Sequence, residues 1–202
     1  MVLHIHPNNP NAREVAQVAS ALRQDGVIIC PTDTVYAFMC ALSSKKAYEA
    51  LLRIKGVKEK EANFSLIFPS LSYLSDYAKV DNQTFKVLKQ NLPGAFTFIL
   101  KASGKVPDKL QNRRKNIGVR IPNNRIVSAL LEQLDCPLLT TSTKSPDKVL
   151  EYATDPDELH ELYGKLVDIV IDGGTGGNIP STIIDCTVQP YELVREGAGT
   201  LI

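Results

Sequence analysis

Two segments of this 202-residue chain place hydroxyl groups directly after apolar stretches. Pro31-Thr-Asp-Thr-Val-Tyr36 follows Val27-Ile-Ile-Cys30, and Leu139-Thr-Thr-Ser-Thr-Lys144 carries four consecutive hydroxyl residues and a lysine. Open α/β sheets bind ligands at such carboxyl ends of strands. Thr32, Thr34, Tyr36, Ser142 and Lys144 are therefore candidate ligand-facing groups, although Ser and Thr also satisfy loose backbone groups in turns and caps. Gly118-Val-Arg-Ile-Pro122 puts Arg120 inside an apolar stretch, where an unpaired charge is expensive. It is expected to pair with a carboxylate, or to face a cleft and an anionic ligand. Arg195, after Glu192-Leu-Val, poses the same question.

Other routes to chemistry lack their residues. His4, His6 and His160 are the only histidines, and none lies in a nucleophile–base pattern. GxSxG is absent, which removes the usual local signature of a serine hydrolase. There is no GxxxxGK[ST], and Gly173-Gly-Thr-Gly-Gly177 does not fit GxGxxG, so that cluster reads first as a loop. His4 and His6 could share a strand face, but a pair at a terminus reads as surface, and no metal site is expected. Cys30, Cys40, Cys136 and Cys186 are scattered in or beside apolar runs, as buried thiols are.

The net charge of +1 makes the molecule no general magnet for nucleic acid. Its charge is nevertheless uneven. Between Lys101 and Arg125 eight cations (Lys101, Lys105, Lys109, Arg113, Arg114, Lys115, Arg120, Arg125) face one acid, Asp108. From Asp147 to Glu161 acids dominate. The first run could present phosphate-binding surface, or simply be solvated.

These side chains need a scaffold, and the pattern supplies one. Helical spacing marks residues 11–24, a segment capped by Ser43-Ser44, 81–91, 124–134 and 155–163. Short apolar strands are expected at 27–30, 64–68, 96–100, 117–121, 138–142, 166–171, 182–186 and 191–195. Strands alternate with helices early and run together late. That predicts an α/β protein with a twisted mixed parallel and antiparallel sheet, helices packed on it, as one domain over 1–202. No apolar run reaches the ~18 residues of a membrane span. Met1-Val-Leu-His-Ile-His-Pro7 lacks a signal-peptide pattern, so a cytoplasmic, reducing compartment is expected.

Taken in order, eight segments carry more than any one alone: Pro31-Thr-Asp-Thr-Val-Tyr36, Lys55, Pro93-Gly-Ala-Phe-Thr-Phe-Ile-Leu100, Gly118-Val-Arg-Ile-Pro122, Ser142, Asp172-Gly-Gly174, Ser181-Thr-Ile-Ile-Asp185 and Val194-Arg-Glu-Gly197. Their succession resembles the YrdC/YciO family, whose best-known members are L-threonylcarbamoyladenylate synthases, over roughly 20–197. The resemblance implies a YrdC-like fold. It also implies a reaction that joins threonine, bicarbonate and ATP into threonylcarbamoyl-AMP and releases pyrophosphate, for a tRNA modification. A carbamate oxygen attacks the α-phosphorus, which calls for orientation and cations rather than a protein nucleophile. Mg²⁺ would accompany ATP on its phosphate oxygens.

By the same resemblance, Lys55 matches the lysine of a Lys-x-Arg motif and Ser142 the serine of Ser-x-Asn. Arg120, Ser181 and Arg195 match positions around the nucleotide, and Thr182 follows directly. Thr32, Thr34 and Tyr36 belong to a segment lining the substrate side. The arginine of Lys-x-Arg is Val57 here, the asparagine of Ser-x-Asn is Lys144, and YGLG reads Tyr36-Ala-Phe-Met39. These departures are most like the YciO branch. Lys144 could return the charge that Val57 removes. An alternative role, double-stranded RNA or tRNA binding, would use Lys101–Arg125.

Overall fold

The computed structural model describes residues 1–111, 115–143 and 152–202. The strands are β1 (Val2–His4), β2 (Val27–Cys30), β3 (Ala37–Ala41), β4 (Ser65–Ile67), β5 (Ala78–Lys79), β6 (Phe96–Ala102), β7 (Asn116–Arg120), β8 (Leu138–Ser142), β9 (Ile169–Asp172), β10 (Thr182–Asp185) and β11 (Glu192–Arg195). The helices are α1 (Ala12–Arg23), α2 (Lys45–Lys55), α3 (Leu71–Leu74), α4 (Asn82–Asn91), α5 (Arg125–Gln133) and α6 (Pro156–Tyr163), with single 3-10 turns at Glu59–Glu61 and Asp108–Leu110. Among the described residues the strands form one sheet in the order β1-β9-β2-β3-β8-β4-β7-β6-β10-β11, and β5 pairs with β6. It is mixed, as expected: β4–β7 and β6–β10 run parallel, while β2–β3, β3–β8 and β6–β7 run antiparallel.

Side-chain alternation along the strands builds two unequal faces. On one face Phe38, Leu66, Phe96, Phe98, Ile117, Val119 and Leu139 join a core with α2, α4 and α6, through Leu51, Leu88 and Leu159. On the other face Ile28, Met39, Ile67, Leu138 and Ile169 meet α1 and α5, through Val18, Leu22, Ile126 and Leu130. That second core takes in no residue of β6, β7 or β10. There the same alternation puts small or polar groups, Thr97, Gly118 and Arg120, on the face that α1 and α5 leave to loops.

Caps fix the helix starts where the sequence placed them. Asn11, Ser44, Asp81, Asn124 and Asp155 each accept a backbone N–H with the side chain. β3 is a strand that the pattern did not delimit, because all five of its residues are buried and alternation is lost. β9 begins only at Ile169, since Asp168 turns its carboxylate back to the Val27 N–H at 2.8 Å. Among the described residues no helix is long and apolar enough to cross a membrane.

Candidate functional site

The half of the sheet without a helix of the second core carries a cavity of about 120 Å³, lined by Ala37, Ser65, Thr97, Arg120, Thr140, Ser142, Ser181, Ile183 and Arg195 among others. Its floor is flat for a reason. A Cβ on Gly118 would meet the Ser65 hydroxyl oxygen at 2.5 Å and Thr97 Cγ2 at 3.2 Å, so the strand can approach both neighbours only as glycine. Asn63 also lines a larger cavity alongside, of about 650 Å³, with Glu59, Lys60, Asp108, Lys109 and Asn116.

Arg120 pairs with a carboxylate, one of the two alternatives its sequence setting left open, and it also borders a cavity. It is buried and ion-paired, its Nη2 donating to Asp33 Oδ1 at 2.8 Å and to the Thr34 hydroxyl at 3.1 Å, and it lines the cavity. Burial pulls its pKa below the usual range, with neighbouring Arg195 pulling the same way and Asp33 opposing. Two guanidiniums thus share one small space. Arg195 donates to the Ser181 carbonyl from Nε and Nη2, at 3.1 and 2.6 Å, and its pKa is likewise lowered by burial. The Ser181 hydroxyl lies 2.8 Å from that of Thr97. Lys55 reaches the cavity's rim from the end of α2, donating to the Ser142 carbonyl at 3.1 Å, and burial lowers its pKa.

Other candidate hydroxyls are used within the fold. Thr32 donates to the Val35 carbonyl at 2.7 Å and sits 3.0 Å from the Thr34 hydroxyl. Tyr36 is fully buried, donates to the Gly174 carbonyl at 2.7 Å and accepts from the Gly173 N–H, and burial pushes its phenol up to about 12. Thr182 donates to the Gly199 carbonyl and accepts from the Gly197 and Gly199 N–H groups, which ties down the C-terminal segment. None of these four threonine and tyrosine side chains lines the cavity. The reason for Thr182 is strand geometry: Ser181 and Ile183 face the cavity, so the residue between them faces away. Lys144, with Arg113 and Arg114 of the basic run, lies outside the described residues.

Of Tyr36-Ala-Phe-Met39, bulkier than the YGLG it replaces, only Ala37 lines the cavity. Phe38 and Met39 are buried in the two opposite cores, so their bulk does not crowd the site. Four described members of the basic run are paired or internal. Lys105 pairs with Asp76 at 2.7 Å, Lys109 lies 4.5 Å over the Tyr48 ring, Arg120 is internal, and Arg125 donates to the Asn8 carbonyl. Asp33, which holds Arg120, and Thr97, which lines the cavity, are site residues that the sequence reading did not single out. A buried arginine called for a carboxylate, and Asp33 stands between two threonines already under scrutiny.

Residues 20–197 match the Sua5/YciO/YrdC family model, described as telomere recombination. The chain belongs to this family. It is 43% identical to the YciO protein of Escherichia coli strain K12 over 197 residues, 97% of this chain and 95% of that one. The crystal structure of E. coli YciO superposes with a TM-score of 0.93 and covers 99% of this chain and 97% of that chain. A putative threonylcarbamoyl-AMP synthase of Methanocaldococcus jannaschii is 33% identical over 174 residues, 85% of this chain and 79% of that protein. P. abyssi Sua5, solved in complex with L-threonine, shares the fold at a TM-score of 0.89 and 24% identity, over 98% of this chain and 57% of that chain. The sequence pattern and the YrdC-like architecture therefore agree with membership of the Sua5/YciO/YrdC family.

Proposed function

We propose that the cleft binds ATP and that the protein works on a threonylcarbamoyl-AMP-type adenylate. The observation that carries this is the convergence of Arg120, Arg195, Ser142, Ser181 and Thr97 on one cavity, with Lys55 bonded to the Ser142 carbonyl beside it. Guanidiniums, an ammonium and hydroxyls are donors for oxyanions, and in a partly desolvated cavity they act more strongly than in water. The inner cavity suits a phosphate or carboxylate group rather than a whole nucleotide, and the adjoining 650 Å³ space has room for a nucleoside. The names of the M. jannaschii relative and of the threonine complex of P. abyssi Sua5 point to the same chemistry.

In that reaction the carbamate of threonine attacks the α-phosphorus of ATP and pyrophosphate leaves. Arg120, Arg195 and Lys55 would stabilise charge on the phosphoryl oxygens, and Ser142, Ser181 and Thr97 would orient it. Mg²⁺ would come with ATP on its phosphate oxygens, because the cavity's guanidinium and hydroxyl donors suit the anion rather than the cation.

Calorimetric titration with ATP, alone and with threonine and bicarbonate, followed by a pyrophosphate assay, tests this reading. Binding that tightens with threonine and yields pyrophosphate supports the full reaction. ATP binding without turnover supports the nucleotide site alone, and no binding refutes both.

A further inference from the structure

Arg120 is held by a carboxylate that is not itself among the residues lining the cavity. Asp33 accepts from Arg120 Nη2 through Oδ1 at 2.8 Å and from the Asn123 backbone N–H through Oδ2 at 2.9 Å. The Arg120 and Asp33 side chains are only 7% and 9% exposed, so the pair is desolvated. Thr34 adds a second acceptor to the same nitrogen, and Thr32 fixes that hydroxyl in turn. One nitrogen of the guanidinium is therefore taken up by the 32–34 loop, while Asn123 ties that loop to the segment after β7. Nε of Arg120 is buried without a partner among the described residues. A buried donor left unpaired is costly, and such exceptions cluster where a ligand completes the set.

We propose that Asp33 is a positioning residue: it clamps Arg120 from one side so that the remaining guanidinium donors meet an oxyanion of the substrate. The proposal rests on the reading of the cleft as a nucleotide and amino-acid site, because the oxyanion is either a phosphoryl group of ATP or the carboxylate of threonine. Without the clamp, the arginine keeps its charge but loses its fixed orientation, and a fork of donors works only when it is oriented.

Asp33→Asn tests this with little change of shape, since the amide oxygen can still accept from Asn123. Asp33→Glu keeps the charge, and Arg120→Lys keeps the cation without the fork. The first readout needs no ligand: nitrogen-15 NMR of the Arg120 guanidinium, where hindered rotation in the wild type should give way to faster rotation in Asp33→Asn. Equal mobility in both proteins overturns the proposal whether or not ATP binds. The second readout is separate titration with ATP and with L-threonine. For the ligand that Arg120 serves, Asp33→Asn should lose about ten-fold or more in affinity, and Asp33→Glu should recover most of it. The Asp33→Asn, Arg120→Lys double variant should bind no more weakly than Arg120→Lys alone. Losses that multiply in the double variant, or wild-type affinity in a folded Asp33→Asn protein, overturn it. If the wild type binds neither ligand, the nucleotide reading falls, and the guanidinium spectrum alone decides whether Asp33 fixes Arg120.

Discussion

Arg195 grips the carbonyl of Ser181 with two guanidinium nitrogens, Nη2 at 2.6 Å and Nε at 3.1 Å, and so fastens the β11 edge of the cleft to the entry of β10. Ser181 is held from its other side by the Thr97 hydroxyl at 2.8 Å. The positions that face the cavity thus brace one another across three strands. Changing one should alter both the local structure and the ligand site.

Arg195→Lys leaves a positive charge but cannot reproduce the fork on Ser181. ATP affinity in calorimetry is expected to fall about ten-fold. Ser181→Ala removes the partner of a buried Thr97 hydroxyl and should cost about 1–3 kcal/mol of stability, measured from the urea midpoint. An Arg195→Lys protein that binds ATP like the wild type would remove Arg195 from the site.

Lys55 gives a pH dependence with a defined sign. Burial lowers its pKa from 10.5 in the folded protein. Between the lowered value and 10.5 the unfolded chain holds the proton more firmly, so unfolding takes up a proton and this residue's contribution to stability rises with pH. Its charge is lost through the same window, and ATP affinity should fall there. Titrations at increasing alkaline pH should show wild-type binding fading before that of Lys55→Arg, whose guanidinium stays charged. Unfolding midpoints for the wild type should rise relative to Lys55→Met over the same pH range.

The glycine-rich loop is tested by a pair of substitutions. A Cβ on Gly177 would run into the Thr34 carbonyl oxygen, and one on Gly176 would meet the Tyr36 ring at 2.5 Å. The loop therefore packs against the 32–36 segment, and it is glycine because nothing larger fits between them. Gly177→Ala is expected to destabilise by about 1–3 kcal/mol through overpacking and to weaken ATP binding by moving Thr34 away from Arg120. Gly104→Ala has nothing within 4 Å of its new Cβ, and its melting temperature should stay near that of the wild type. Equal melting temperatures for the two variants would refute the packing argument.

Much of this architecture is legible in the residues, because caps and periodicity are local. Val27–Cys30 and Leu138–Ser142 are strands with the expected ends, and helices α1, α2, α4, α5 and α6 lie where the caps put them. The hidden part depends on the sheet. Residue type does not say which face of a strand a hydroxyl occupies, so Ser181 and Thr182 look equivalent until β10 is seen pairing with β6. Tyr36 likewise offers a hydroxyl that only the fold turns toward the glycine loop. The partner of Arg120 is far away in sequence, 87 residues back, and only tertiary structure could choose Asp33 from among the acids.

Val57, where the family resemblance expects an arginine, offers a sharp test of the proposed adenylate chemistry. Gly56 ends α2 in the left-handed conformation at φ +64°, and the Gly56 and Val57 N–H groups close the helix on the Arg53 and Leu52 carbonyls. The backbone at 57 is therefore set by the helix end rather than by the valine side chain, which is partly exposed. Val57→Arg should change stability by less than about 0.5 kcal/mol, as surface substitutions do. The new guanidinium would stand two residues beyond Lys55, in the segment that leads to Glu59 and Asn63 on the larger cavity. A charged fork there should tighten ATP binding by about ten-fold and raise pyrophosphate release with threonine and bicarbonate. If Lys144 replaces the missing charge in the wild type, Lys144→Ala should weaken ATP binding in the wild type and have no such effect in Val57→Arg. A folded Val57→Arg protein with unchanged ATP affinity and turnover would show that position 57 does not limit either one.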